Sequence, residues 1–267
     1  MVLSSRVFFI LTVIGDLLVK TFTITSIAKL CRIVDVHCQD SVNTTVIYRG
    51  HEDVEYKLRP KAGRFKPPSG SKSKTLNERL MLELFRRHSV GLTSHDPADD
   101  WELLAVAQHH GMATRLMDWT RSPLVAAYFA VAYSNQSYQK KDQTSDCFFL
   151  LEPDSVIYAW RCPKIDLSRT PSKVPLEIKT DVVRYIPRHI TPRIKAQSGL
   201  FSVHRDPKVV LTDPAIIQFI IPFSKRRAVK QSLYRLGIHE GTVFPDLDGA
   251  ATISNGYKPI KLPEAAA

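Results

Sequence analysis

Cysteine is scarce, with four in 267 residues. Cys31, Cys38, Cys147 and Cys162 are too few and too dispersed for a disulfide scaffold. None stands in the C-x-x-C pairing of a structural zinc site, so a reducing, cytoplasmic setting fits best. Long apolar runs are also missing. Residues 7–14 are apolar after Arg6, but Gly15-Asp16 interrupts them and no convincing small-residue cleavage site follows. The run is too short to span a bilayer and is expected as a core helix or strand, with no stable membrane insertion. There is no internal repeat, and no low-complexity segment beyond the basic loop at 67–71. The chain has no G-x-x-x-x-G-K-[ST], no G-x-G-x-x-G after a strand, no H-E-x-x-H and no G-x-S-x-G, which disfavours an ATPase, a Rossmann dehydrogenase, a zincin and an α/β-hydrolase. No metal is expected. Adjacent histidines on a helix, as at His109-His110, point about 100° apart and cannot share an ion unaided.

What is present is an ordinary globular composition, 44% hydrophobic and 24% charged, with 37 Lys+Arg against 26 Asp+Glu for a formal +11. One main domain is expected. Such a surface attracts nucleotides, phosphate, nucleic acid or acidic headgroups. The cations cluster at Lys57, Arg59, Lys61, Arg64, Lys66, Lys72 and Lys74, and again at Lys225, Arg226, Arg227, Lys230 and Arg235. Solvated faces are the simplest account of both runs.

The β-branched and aromatic run 44–49 predicts a strand that stops at Gly50 and leaves Arg49 at its end. Thr75 and Glu78 have capping-box spacing before a helix of about a dozen residues. Asp96-Pro97 predicts a second helix, ended by Gly111, with Trp101, Leu104 and Ala105 on one face. Ser122-Pro123 opens a small-residue helix over 124–132, expected to be buried. Residues 147–151 and 216–223 look like core strands, and 224–236 like a basic amphipathic helix closed by Gly237. Five prolines make 161–195 irregular apart from a short strand near 182–186. The mixture predicts α+β: a central mixed or antiparallel sheet with helices packed on it.

Polar functional types concentrate in residues 107–123, a connection between two helix ends where sites tend to be built. Arg115 could hold a phosphate bidentately, Asp118 could orient a ribose hydroxyl or a basic partner, and Trp119 offers a stacking face. Alternatively Arg115 and Asp118 pair with each other and Trp119 fills the core. The run 244–249 lacks the ligand pattern of a calcium loop and reads as a packed turn.

Val46-Ile-Tyr-Arg-Gly-His51, Ala107-Gln-His-His-Gly111 and Thr114-Arg-Leu-Met-Asp-Trp-Thr-Arg-Ser-Pro123, leading into Ala126-Ala-Tyr-Phe-Ala130, resemble the FRG domain family. The resemblance divides the chain into an apolar extension at 1–26, the domain at 27–251 and a tail at 252–267. A fainter similarity is to mono-ADP-ribosyltransferases, whose sheet is split and whose motifs run in the same order. That similarity implies an ADP-ribosyltransferase or NAD glycohydrolase, of the kind found among toxin and defence effectors, with NAD as substrate. By the same implication Arg49 holds a phosphate or ribose, Thr120 positions the nicotinamide ribose, and Tyr128 stacks on the ring. Gln197 stands where the transferases place a glutamate, and neither Glu177 nor Glu240 sits in an alignable context. Tyr48, Gly50, His110, Arg115, Asp118 and Trp119 complete the expected nucleotide site. The alternative is a non-catalytic module that binds a nucleotide or nucleic acid.

Overall fold

A computed structural model of the chain describes residues 10–14, 17–65, 76–92, 96–132, 138–141, 148–151, 153–163, 175–187 and 192–256. The basic loop at 67–71, Lys66, Lys72, Lys74 and Cys147 lie outside them. The architecture is α+β, built on one eight-stranded mixed sheet. Its strands are β1 (Ile10–Ile14), β2 (Leu17–Thr23), β3 (Thr44–His51), β4 (Leu116–Thr120), β7 (Ser155–Pro163), β8 (Val182–Tyr185), β9 (Gly199–His204) and β10 (Ile216–Ile221). They lie in the order β1-β2-β10-β7-β3-β4-β9-β8. The β2–β10 pair is parallel and the others are antiparallel. β5 (Tyr138–Lys141) and β6 (Phe148–Leu151) form a separate two-stranded sheet, so the run at 147–151 contributes no strand to the main one.

Side chains alternate across the central strands and feed two layers. Val46 and Tyr48 of β3, with Ile157 and Ala159 of β7, join a core covered by α1 (Ile27–His37), α4 (Pro123–Val131) and α6 (Phe223–Arg235). Ile47 of β3 and Val156, Tyr158 and Trp160 of β7 pack on the opposite face with Met117, Trp119 and Leu200. A third cluster seats α2 (Glu78–His88) and α3 (Asp100–His109) against Leu116, Val183, Phe201 and Val203.

Helix starts differ in detail from the sequence expectations. Asn77 caps α2, accepting from Leu80 N at 3.1 Å, and Glu78 takes a different role, while Thr75 of the expected capping box lies outside the described residues. Asp99, not Asp96, caps α3, because its carboxylate reaches Glu102 N at 2.9 Å. Ser122 caps α4 as its Ser-Pro signal predicts. β7 extends to Pro163, so residues 161–163 are strand and not irregular backbone. Asp246 opens a helix, α8 (Leu247–Gly256), by accepting from Gly249 N at 2.9 Å, where a turn alone was expected.

Candidate functional site

The sheet is nearly parted between β3 and β4. These strands share a single register pair, Tyr48 with Thr120, whereas β3 pairs with β7 along its whole length. Beyond that point the strands diverge and Arg49 occupies the opening. Its Nη1 donates to the main-chain carbonyl of Asp118 at 2.6 Å, so a side chain satisfies a strand carbonyl. Gly50, the next residue, has no room for a side chain. A Cβ there would fall 1.9 Å from Ala126 O and 2.7 Å from Ala130 N. The Arg-Gly pair and the alanines of α4 are thus one device: the small residues let the helix backbone rest on the strand, which does not stop at Gly50 as the sequence suggests but stays paired with β7 through His51, so Arg49 enters the opening from within the strand.

Arg49 is held on two further sides. Its Nη1 lies 3.7 Å from Asp118 Oδ2, and its Nε donates to His51 Nε2 at 2.8 Å. Because the guanidinium can only donate, His51 Nε2 accepts, so the proton sits on Nδ1, which donates to Tyr56 O at 3.1 Å. Burial and the adjacent Arg49 charge push the His51 pKa down to about 3, and the ring is neutral at physiological pH. Burial also lowers the pKa of Arg49, an effect opposed by Asp118. Asp118 is steadied in turn by Gln108, whose Nε2 donates to Oδ2 at 3.0 Å while its Oε1 accepts from Thr114 Oγ1 at 2.7 Å.

Two connected lobes open around this arginine, of about 310 and about 750 Å³, a size that suits small-molecule ligands. They share Arg49, Gly50, Phe129, Arg193 and Phe244. Arg193, on the five-residue α5 (Pro192–Ala196), stacks its guanidinium 4.1 Å from the Phe244 ring centre, and Phe244 packs edge-on against Phe129. The smaller lobe adds Tyr48, Asp118, Thr120 and Gln197; the larger adds Tyr56, Lys57, Arg59, Arg64 and the carboxylates Glu52, Glu55 and Glu240. Among the described residues, Lys57, Arg59, Arg64 and Arg193 have no carboxylate within ion-pair distance. The cleft therefore presents donors and positive charge, apolar rings and a few acids.

The expected site residues separate into those facing the cleft and those committed elsewhere. Tyr48, Arg49, Gly50, Asp118, Trp119, Thr120 and Gln197 meet at the smaller lobe, and Tyr128 borders the larger one. Tyr48 and Tyr128 are each 4% exposed with their side chains in the core beneath α4, so Tyr128 is not an open ring for stacking. Trp119 is only 3% exposed; its Nε1 donates to Ser202 Oγ at 2.9 Å and its ring packs on Trp160, so it is no open stacking platform. The Thr120 hydroxyl is also engaged, donating to Gln197 O at 2.6 Å and accepting from Ser122 N at 3.0 Å. Gln197 Nε2 donates to Val243 O at 3.2 Å.

Arg115 and His110 are not brought to the cleft. Arg115 neither pairs with Asp118 nor lines the cleft, because Glu78 takes its guanidinium through Oε1 at 2.9 Å and Oε2 at 3.1 Å. His110 is the exposed C-cap of α3, while His109 faces the smaller lobe with a pKa lowered by burial and by Arg193. Glu177 pairs with Arg79 on the surface, whereas Glu240, on α7 (Glu240–Val243), lines the larger lobe 3.6 Å from Lys230. Gln108 and His51 stood inside quoted motifs without a role. Arg193 and Phe244 carried no signal that ties them to Arg49, since only the fold brings 193 and 244 to 49.

Residues 44–139 match the family model described as the FRG domain. Over that stretch, about a third of its length, the chain is similar to the FRG domain. Its matched segment begins with β3 and takes in Arg49, the Gln108–Asp118 contact, Thr120 and the aromatic pair Tyr128-Phe129. The far wall of the cleft, with Arg193, Gln197, Glu240 and Phe244, comes from beyond the FRG match. No curated protein and no solved structure matches the chain. Among the described residues, no group of three metal-ligating side chains occurs and no helix is long and apolar enough to cross a membrane.

Proposed function

We propose that the cleft binds NAD and that the protein cleaves its nicotinamide glycosidic bond, as an ADP-ribosyltransferase or NAD glycohydrolase does. The observation that carries this reading is the parting of β3 from β4. It places Tyr48-Arg49-Gly50, Thr120 and Gln197 on three neighbouring strands or strand ends around one opening. A donor-rich opening suits a pyrophosphate, and the rings of Phe129 and Phe244 suit a flat base. In the reaction the C1′–N bond breaks, nicotinamide leaves with the bonding pair, and water or another nucleophile forms the new C1′ bond and gives up a proton. Positive charge develops at C1′, which favours a nearby carboxylate. The cleft acids are Asp118 in the smaller lobe and Glu52, Glu55 and Glu240 in the larger, since Gln197 carries no charge, and Glu240 is the one assigned this role.

The test is nicotinamide release from labelled NAD by the purified protein. Wild type is expected to turn over. Arg49→Ala is expected to lose that turnover, and Glu240→Gln to lower kcat by about 10²-fold or more if it faces the developing cation. A folded wild type that releases no nicotinamide at high enzyme concentration overturns the catalytic reading. Nucleotide binding without turnover is the second reading, favoured by the uncharged Gln197, and calorimetric NAD binding without release would select it.

A further inference from the structure

The larger lobe contains a donor and an acceptor that the protein itself leaves unanswered. Glu52 Oε2 and Arg59 Nε are both buried and, among the described residues, both lack a hydrogen-bond partner, yet both residues line this one cavity. Leaving such atoms unpaired is unfavourable in an isolated protein, and together they describe a ligand that accepts at one end and donates at another. Lys57 and Arg64 stand beside them with no ion-pair partner among the described residues, and the Arg64 charge reaches Arg49 and His51. Two rings interleave with these cations along the same stretch of chain: Tyr56, 45% exposed, and Phe65, 40% exposed.

We infer that this lobe binds one nucleotide of a single-stranded nucleic acid, its phosphate on Arg59 and Arg64, its base edge on Glu52 and a neighbouring base on Tyr56. Cations that track a backbone, alternating with exposed rings, are the arrangement single strands use, because every base has a face to stack. The acceptor on Glu52 adds what a bare phosphate cannot satisfy, namely a base N–H or a sugar O–H. An unpaired strand is required, since a base inside a duplex has its hydrogen-bonding edge occupied and its faces stacked. An acidic peptide would satisfy the cations but would place a further carboxylate beside Glu52, Glu55 and Glu240. The inference deepens the NAD reading and rests on it for one consequence: a strand held here lies beside Arg49, where the acceptor of an ADP-ribosyl group must lie.

The experiment is fluorescence anisotropy of the full chain with a short labelled oligothymidylate, titrated at salt concentrations from about 50 to about 200 mM. Wild type is expected to bind with log K falling linearly in log salt. The double variant Arg59→Ala/Arg64→Ala should lose about 1.4 from that slope, about 0.7 for each phosphate contact removed. Tyr56→Ala should weaken binding about tenfold at fixed salt. Tyr56 and Arg64 are exposed, so a variant of either alone, its fold checked by circular dichroism, guards against a misfolded double variant. Absence of oligonucleotide binding, or binding that none of these variants changes, overturns the inference, as does tighter binding of a polyglutamate peptide to the same residues. The NAD assay fails separately. Oligonucleotide binding without nicotinamide release overturns the earlier reading alone, and release without oligonucleotide binding overturns this one alone.

Discussion

Removing the carboxylate of Glu78 is expected to destabilise the protein far more than removing that of Asp118, although the sequence makes Asp118 look like the partner of Arg115. The Arg115 and Glu78 side chains are 11% and 10% exposed, and Glu78 accepts three bonds from Arg115: Nη2 at 2.9 Å, Nε at 3.1 Å and the main-chain N at 3.1 Å. Glu78→Ala leaves a guanidinium and a peptide N–H without their acceptor inside the fold. The remaining contacts, to Leu176 O at 3.4 Å and Arg205 O at 3.3 Å, are too long to compensate. Breaking one side of such a pair costs about 3–5 kcal/mol. Glu78→Gln keeps one oxygen and the shape, so about half that loss is expected. Asp118 is 58% exposed and lies 3.7 Å from Arg49, which places Asp118→Ala at about 1 kcal/mol or less. Urea unfolding followed by far-UV circular dichroism reads the order directly. With a slope near 3 kcal/mol per molar, Glu78→Ala should lower the midpoint by about 1 M or more. An Asp118→Ala shift equal to or larger than that of Glu78→Ala would refute the reasoning, because it would mean that Arg115 draws its stability from elsewhere.

Gly50→Ala should be poorly tolerated, since its Cβ would meet main-chain atoms of α4 at 1.9 and 2.7 Å and neither can swing aside; a melting temperature within a degree of wild type would contradict this close contact. Stability should fall on acidification from pH 7 toward 5. The pKa values of His51 and His204, about 3 and about 4 in the fold against 6.5 in a free chain, are lowered chiefly by burial, so below 6.5 the unfolded chain binds protons that the fold refuses. Each contributes up to about 1.4 kcal/mol per pH unit, with stability rising with pH; urea midpoints that are flat between pH 7 and 5, or a slope unchanged in His204→Gln, would show that these rings titrate normally.

The elements most legible in the sequence were those that announce themselves locally. Ser122-Pro123 marked α4, Gly237 closed α6 and the β-branched run at 44–49 gave β3, because caps and periodicity need only a few neighbouring residues. β4 and β9 were not legible. Leu116, Met117, Trp119 and Thr120 are all buried, as are residues 200–204, so neither segment shows the alternation that betrays a half-exposed strand. β7 could have been found, since Val156-Ile-Tyr-Ala-Trp160 is an aromatic, β-branched run behind Pro153-Asp154. Its burial on both faces is the pattern of a central strand.

The site was half legible for a related reason. Arg49 and Gly50 could be singled out because a glycine after a β-branched run has local meaning, but the glycine does not end the strand: β3 continues to His51, and the glycine is required because α4 rests on it. Arg115 misled because sequence proximity favours Asp118, three residues away. The two side chains instead leave β4's approach in different directions, one to Glu78 and the other to Gln108 and Arg49. Thr120 is the sharper case. Its hydroxyl ties Gln197 O to Ser122 N, so the threonine holds the start of α4 to the turn before β9 and its polar atom is already committed. Motif order alone cannot separate a residue that touches a ligand from one that fixes where the ligand's partners stand. Both lie at the same opening, and they differ only in whether their polar atoms are already taken.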